Sequence, residues 1–200
     1  MTNELVIATK NEGKAREFRE LLAPKGITIK TLADFPEIPQ VAETGQTFEE
    51  NATLKATAVA QLTSLPVLAD DSGLVVDALD GQPGIYSARY AGNHDDRRNM
   101  AKLLRKLDGV PKDQRTAHFQ TTLVLVKPTG KKMVTNGYVK GLILTEPRGE
   151  NGFGYDPVFF VPAYHQTLAE MTEKQKNAIS HRGHAAQQML ENFDEWWDQA

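Results

Sequence analysis

A chain of 200 residues that is 40% hydrophobic is long enough to bury a substantial core, and no stretch has the composition of a flexible linker. One domain spanning 1–200, at most bilobal, is therefore expected. The formal net charge of −3 argues against a broad basic surface for polymeric nucleic acid, and the lack of cysteine excludes disulfide and thiol chemistry. The start, Met1-Thr2-Asn3-Glu4, lacks the basic and long apolar regions of a signal peptide, and no apolar run is long enough to span a bilayer. A cytoplasmic protein with no membrane partner is the expectation.

In chain order, Leu5-Val6-Ile7-Ala8-Thr9 reads as a buried strand, followed by the loop Lys10-Asn11-Glu12-Gly13 and a helix with Ala15, Phe18, Leu21 and Leu22 on one face. Pro24 and Gly26 end that helix, and Ile27 to Leu32 forms a second strand. Thr47-Phe48-Glu49-Glu50 has the form of a capping box, opening a helix that buries Phe48, Ala52, Ala56, Val59 and Leu62. The run Leu65 to Ala69 is a buried strand that ends in a loop at Asp70-Asp71-Ser72-Gly73, with Leu74-Val75-Val76 resuming as strand. A helix covers Asp95 to Leu107, with Met100, Leu103, Leu104 and Leu107 at helical spacing. Phe119 to Val126 is a central strand and Val134 to Leu144 looks like its neighbour. Arg148 to Pro157 is a glycine-rich loop, and from Ser180 onward an amphipathic helix presents Ala186, Met189, Leu190, Phe193 and Trp197. Strands interleaved with helices give an α/β fold, and the adjacent strand pair in the second half makes the sheet mixed.

Several segments could carry chemistry. The adjacent acids Asp70 and Asp71 offer hard oxygen ligands suited to a cation such as Mg²⁺, although Asp, Ser and Gly are also plain turn formers. Thr9 to Lys14 has the properties of a phosphate cradle: helix-start N–H groups, a glycine for close approach and a lysine. It is not a Walker A motif. Asn51 and Lys55 fall on one helix face, away from the Phe48, Ala52, Ala56 stripe, where an ordinary polar face is the simpler reading. Should Glu43 approach Asp71, the pair could hold a metal while Lys14 and Lys55 neutralise a polyphosphate. Gly152 to Pro157 alternates glycines with aromatic rings that could stack on a base or simply enter the core. Arg182, beside His181, has the planar fork that suits a 6-oxopurine, while His181 could equally cap its helix.

Taken together, six segments resemble the inosine triphosphate pyrophosphatase family. They are Ala8 to Lys14, Glu43 to Ala56, Ala69-Asp70-Asp71-Ser72-Gly73-Leu74, Pro83 to Tyr90, Gly152 to Pro157 and Ile179-Ser180-His181-Arg182. The resemblance implies an elongated mixed β-sheet flanked by helices, two lobes with a nucleotide cleft between them, and a homodimer. It implies Mg²⁺-dependent hydrolysis of ITP, dITP and XTP to the monophosphate and pyrophosphate. Carried over by residue, Asp71 is the catalytic base and a metal ligand, with Glu43 as second ligand. Thr9, Lys10, Asn11, Glu12, Gly13 and Lys14 bind the triphosphate together with Lys55, and Ser72 contacts substrate. Phe153, Gly154, Tyr155, Asp156, Lys176, His181 and Arg182 bind the nucleoside. Some relatives have glycine where this chain has Lys10. A pyrophosphatase for modified pyrimidine or methylated nucleotides, and a nucleotide sensor without turnover, are the competing readings.

Overall fold

The computed structural model describes residues 3–10, 12–92 and 95–198. Its apolar runs build one mixed seven-stranded sheet in the order β2-β1-β3-β4-β5-β6-β7. The strands are β1 (Glu4–Ile7), β2 (Thr28–Thr31), β3 (Val67–Val76), β4 (Thr116–Val126), β5 (Lys132–Ile143), β6 (Phe159–Val161) and β7 (Gln166–Thr167). β1 pairs in parallel with β2 and β3, and β6 pairs antiparallel with β5 and β7. Parallel neighbours need crossovers, which α1 (Glu12–Leu22) and α2 (Phe48–Thr63) supply. The remaining helices are α3 (Asp96–Lys106), α4 (Glu173–Ile179) and α5 (His181–Asp198).

The chain divides into two compact units. The first comprises the described residues of Met1–Asp71, Thr122–Thr135 and Glu191–Ala200, and the second Ser72–Thr121 and Asn136–Leu190. In the first, Val6, Val67, Ala69, Val124 and Val126 pack with Ala52, Ala56 and Val59 of α2. Alanines let the helix lie close, and burying valines contributes roughly 1.5–3 kcal/mol each. Thr47 caps α2 by accepting the Glu50 N–H at 3.1 Å, but the expected box is half-formed, because Glu50 accepts from the Gln46 N–H at 2.6 Å. Leu62, expected on the buried face, is 61% exposed. The buried stripe follows Ala52, Ala56 and Ala60 at four-residue steps, which drift around a helix of 3.6 residues per turn.

The second unit is centred on Leu74, Leu103, Leu107, Phe119, Val158 and Phe159. Asp95 is the cap of α3, accepting the Arg98 N–H at 3.0 Å, and Met100 and Leu104 are only partly buried there. Within this unit, Gly137 of β5 admits the start of α5: a Cβ there would stand 1.9 Å from the His181 carbonyl oxygen.

One correction bears on function. Asp70, Asp71, Ser72 and Gly73 are not a loop; β3 runs straight through them to Val76. Aspartate is disfavoured in strands, but local propensity yields where apolar residues continue beyond it and its carboxylates find partners. β2 is shorter than expected, because Thr31 and Asp34 close a capping box around a 3₁₀ turn at Leu32–Asp34. Arg148 to Pro157 is irregular, as expected, whereas β6, β7 and α4 were not foreseen. Among the described residues no helix is long and apolar enough to cross a membrane.

Candidate active site

The first unit gathers an acidic centre around β3. Asn51, which the sequence reads as part of an ordinary polar face, is instead fully buried, at 0% exposure. Its side-chain amide donates to Asp71 Oδ2 at 3.1 Å, and its carbonyl oxygen accepts the Gly45 N–H at 2.8 Å. Gly45 must be glycine for this: a Cβ would fall 2.6 Å from Glu50 Cβ and 2.9 Å from Asn51 Oδ1. Asn51 thus ties the Glu43-Thr44-Gly45 segment to Asp71. Lys55, one turn on, donates to Glu43 Oε1 at 2.9 Å and to the Asp70 carbonyl at 2.5 Å, while Lys14 pairs with Asp70 Oδ2 at 2.6 Å.

Asp71 is 9% exposed. Burial above all, helped by the charges of Glu43 and Asp70, pushes its carboxyl up to about 6, against the pull of Lys55 and the Asn51 amide. A carboxylate with that affinity for a proton is well matched to base catalysis near neutrality. The structure therefore assembles Glu43, Lys55, Lys14 and Asp71 as a set and adds two members without an assigned role in the sequence reading: Asp70, offered there with Asp71 as a hard oxygen ligand, and Asn51, read there as ordinary polar surface. The face expected to lie away from the Phe48 and Ala52 stripe is in fact continuous with it at Asn51, which is three residues after Phe48 and is buried with both. No group of three or more His, Cys, Asp or Glu residues among those described has the arrangement of a protein-only metal cage.

The expected phosphate loop keeps its strand-to-helix form. Thr9 follows β1, its N–H bonded to the Ile7 carbonyl at 2.7 Å, and Glu12, Gly13 and Lys14 make the first turn of α1. Asn11 lies outside the described residues. Lys10 is exposed and borders a cavity of about 330 Å³ lined also by Leu32, Phe35, Pro36 and Ile38.

In the second unit, Ser72 and Thr121 share a hydroxyl hydrogen bond at 2.8 Å. Asp156 is buried, its Oδ2 accepting the Phe153 N–H at 2.9 Å and the Lys176 ammonium. Gly152 and Gly154 both have positive φ, of 79° and 62°, and a Cβ on Gly152 would collide with that same carboxylate oxygen. The two aromatic rings divide. Phe153 is 69% exposed, with the Lys176 ammonium 4.6 Å from its centroid, whereas Tyr155 is 4% exposed and its hydroxyl donates to the Ser87 carbonyl at 2.8 Å. Burial, then Tyr90 and Asp96, raises the Tyr155 hydroxyl above its ordinary range, so it stays a neutral donor. His181 opens α5 stacked on Phe119 at 5.1 Å, with Arg182 next to it. Ser180, not His181, caps the turn, accepting the Gly183 N–H at 2.9 Å.

A family model described as the Ham1 family matches residues 5–192. The chain belongs to the Ham1 family. It is 61% identical to a Lactiplantibacillus plantarum protein named dITP/XTP pyrophosphatase, over 98% of this chain and 97% of that one. It is 50% identical to a Halalkalibacterium halodurans protein of the same name, over 98% and 99%. Among solved structures, the Staphylococcus aureus Ham1 protein superposes with a TM-score of 0.89 at 43% identity, over 96% of this chain and 98% of that one. A Ham1 protein from Coxiella burnetii gives 0.91 at 42% identity, with the same coverage. This chain therefore has the Ham1 fold from end to end of its sheet.

Proposed function

We propose that this Ham1-family chain hydrolyses dITP, XTP and ITP to the nucleoside monophosphate and pyrophosphate, clearing deaminated purines from the nucleotide pool. The observation that carries the reading is Asp71, a buried carboxylate raised to about 6 among two further acids and two lysines. Full-length likeness to proteins named dITP/XTP pyrophosphatase supports the substrate class.

Asp71 is the proposed general base, taking a proton from the water that attacks the α-phosphorus as pyrophosphate leaves. Thr9 to Lys14, with Lys55, bind the triphosphate through helix-start N–H groups and ammonium charge. Glu43 and Asp71 are the residues that would hold Mg²⁺. The donor set fits that ion, because Mg²⁺ is usually bound by one or two carboxylates plus substrate phosphates; Glu43 would exchange its present partner, Lys55, for the ion. When bound, the ion supplies charge neutralisation to the phosphates and acidity to water. Ser72 is assigned to substrate contact.

Phe153 offers an exposed ring for the base, and Gly154, Asp156 and Lys176 set its surroundings, with buried Tyr155 holding the loop. Donors on His181 and Arg182 favour a 6-oxo group and leave the amino group of ATP facing other donors; a site built on such a hydrogen bond can reject the wrong partner by about four orders of magnitude. We assign the enzyme to the cytoplasm, which fractionation of cells tests, and to a homodimer, which sedimentation of the purified protein tests. The activity is tested by assaying ITP, dITP, XTP, GTP and ATP for both pyrophosphate and orthophosphate. Pyrophosphate from the inosine and xanthosine nucleotides is expected. Orthophosphate with a diphosphate, or ATP as the best substrate, contradicts the reading.

A further inference from the structure

We infer that Asp96 is a positioning residue for base selection: its carboxylate holds the Gly154 N–H and so fixes the loop that presents Phe153. This role rests on the proposed base-binding function of that loop. The bond is 2.8 Å long and joins residues 58 apart in sequence. A hydrogen bond from a backbone N–H to a carboxylate is charge-assisted, the stronger class.

Two features separate this carboxylate from ordinary helix capping. The cap of α3 is already Asp95, which accepts the Arg98 N–H, so Asp96 is not needed to begin the helix. Its partner, moreover, is the backbone N–H of Gly154, which lies between Phe153 and Tyr155 and is left-handed like Gly152 two residues before it. A Cβ on Gly154 would meet nothing within 4 Å, so this residue has no side-chain packing of its own and its backbone hydrogen bond to Asp96 is what holds it. Asp156 holds the Phe153 N–H on one side and Ser87 holds the Tyr155 hydroxyl on the other. Asp96 secures the residue between them.

Without that acceptor the glycine-bounded loop samples more conformations, and a nucleotide stacking on Phe153 must order it at the expense of affinity. The acidic centre that carries the chemistry contains no part of this loop, so the loss should appear in KM rather than kcat.

The experiment compares wild type, Asp96→Ala, Asp96→Asn and Asp95→Ala for kinetics on dITP and ATP and for hydrogen exchange at the Gly154 amide. Asp96→Ala should raise KM for dITP about tenfold with kcat within about threefold, and narrow the dITP-to-ATP preference in proportion. The Gly154 amide should exchange faster in that variant. Asp96→Asn, which keeps an acceptor oxygen, should recover most of both, and Asp95→Ala, which weakens the same helix start, should move neither. Unchanged preference and exchange in Asp96→Ala would overturn the role of Asp96 alone, as would equal losses in Asp95→Ala. A wild type that does not prefer dITP over ATP would overturn the base-site reading and this role with it.

Discussion

Asp71 and Asp156 are both buried carboxylates, each inside a segment that the sequence singles out, yet the two are held in opposite ways. Asp156 is occupied by a lysine and a backbone N–H that build the loop around it. Asp71 takes its bond from the neutral Asn51 amide and faces Glu43 and Asp70, so burial and like charge raise its carboxyl to about 6. A carboxylate satisfied by cations organises structure; one kept among other acids is costly to ionise and is ready for a proton or a cation. The same residue type is tied into architecture in one unit and left costly to ionise in the other.

Mutation should separate the two. Asp71→Asn keeps the side-chain shape and should cut kcat at least a hundredfold, about 2.7 kcal/mol of barrier, with the circular dichroism spectrum unchanged. Near-wild-type turnover would erase the contrast. Asp156→Ala should act on the fold, because it strands Lys176 and the Phe153 N–H. We expect a loss of about 2–3 kcal/mol of unfolding free energy in urea, the lysine's partial exposure holding it to the low end for a broken buried pair.

Smaller effects sharpen the division of labour. Arg182→Ala should reduce kcat/KM for ITP by roughly 10- to 100-fold while sparing ATP, since an arginine fork on a purine is worth about 1–3 kcal/mol of discrimination. Equal losses on both nucleotides would make Arg182 a structural or phosphate residue. Lys14→Ala should lower ITP and ATP alike by about tenfold, because phosphate contacts position a ligand without reading its base. A loss confined to ITP would move Lys14 out of the phosphate site.

What sequence could reveal follows the same physics. The strand cores, α1, α2, α3 and α5 were legible because apolar spacing and caps such as Thr47 are local signals. β6 and β7 were not, since strands of three and two residues carry no readable period. The acids at Asp70 and Asp71 stood out by type, but their aspartates and glycine suggested a turn when β3 in fact passes through them. Asn51 and Asp96 escaped because their meaning lies in partners distant in sequence, Asp71 for one and Gly154 for the other. Tyr155 and Phe153 look alike in the motif, and only packing sends one inward and leaves the other exposed.

The most direct test of Asp71 as a carboxylate held at a cost is the unfolding free energy of wild type and Asp71→Asn in metal-free buffer from about pH 4 to about pH 8. Because the folded carboxyl titrates at about 6 and the unfolded one near 3.8, the folded state binds more protons in between. Wild-type stability from this group is therefore complete below the lower value and is lost as pH rises through the upper one, by at most about 3 kcal/mol. Asparagine has no proton to lose. The variant should match wild type at the acid end, exceed it progressively through the window and remain more stable at about pH 8, with Mg²⁺ narrowing the gap by favouring the wild-type carboxylate. A pH-independent difference, or a variant less stable than wild type at about pH 8, would contradict the account.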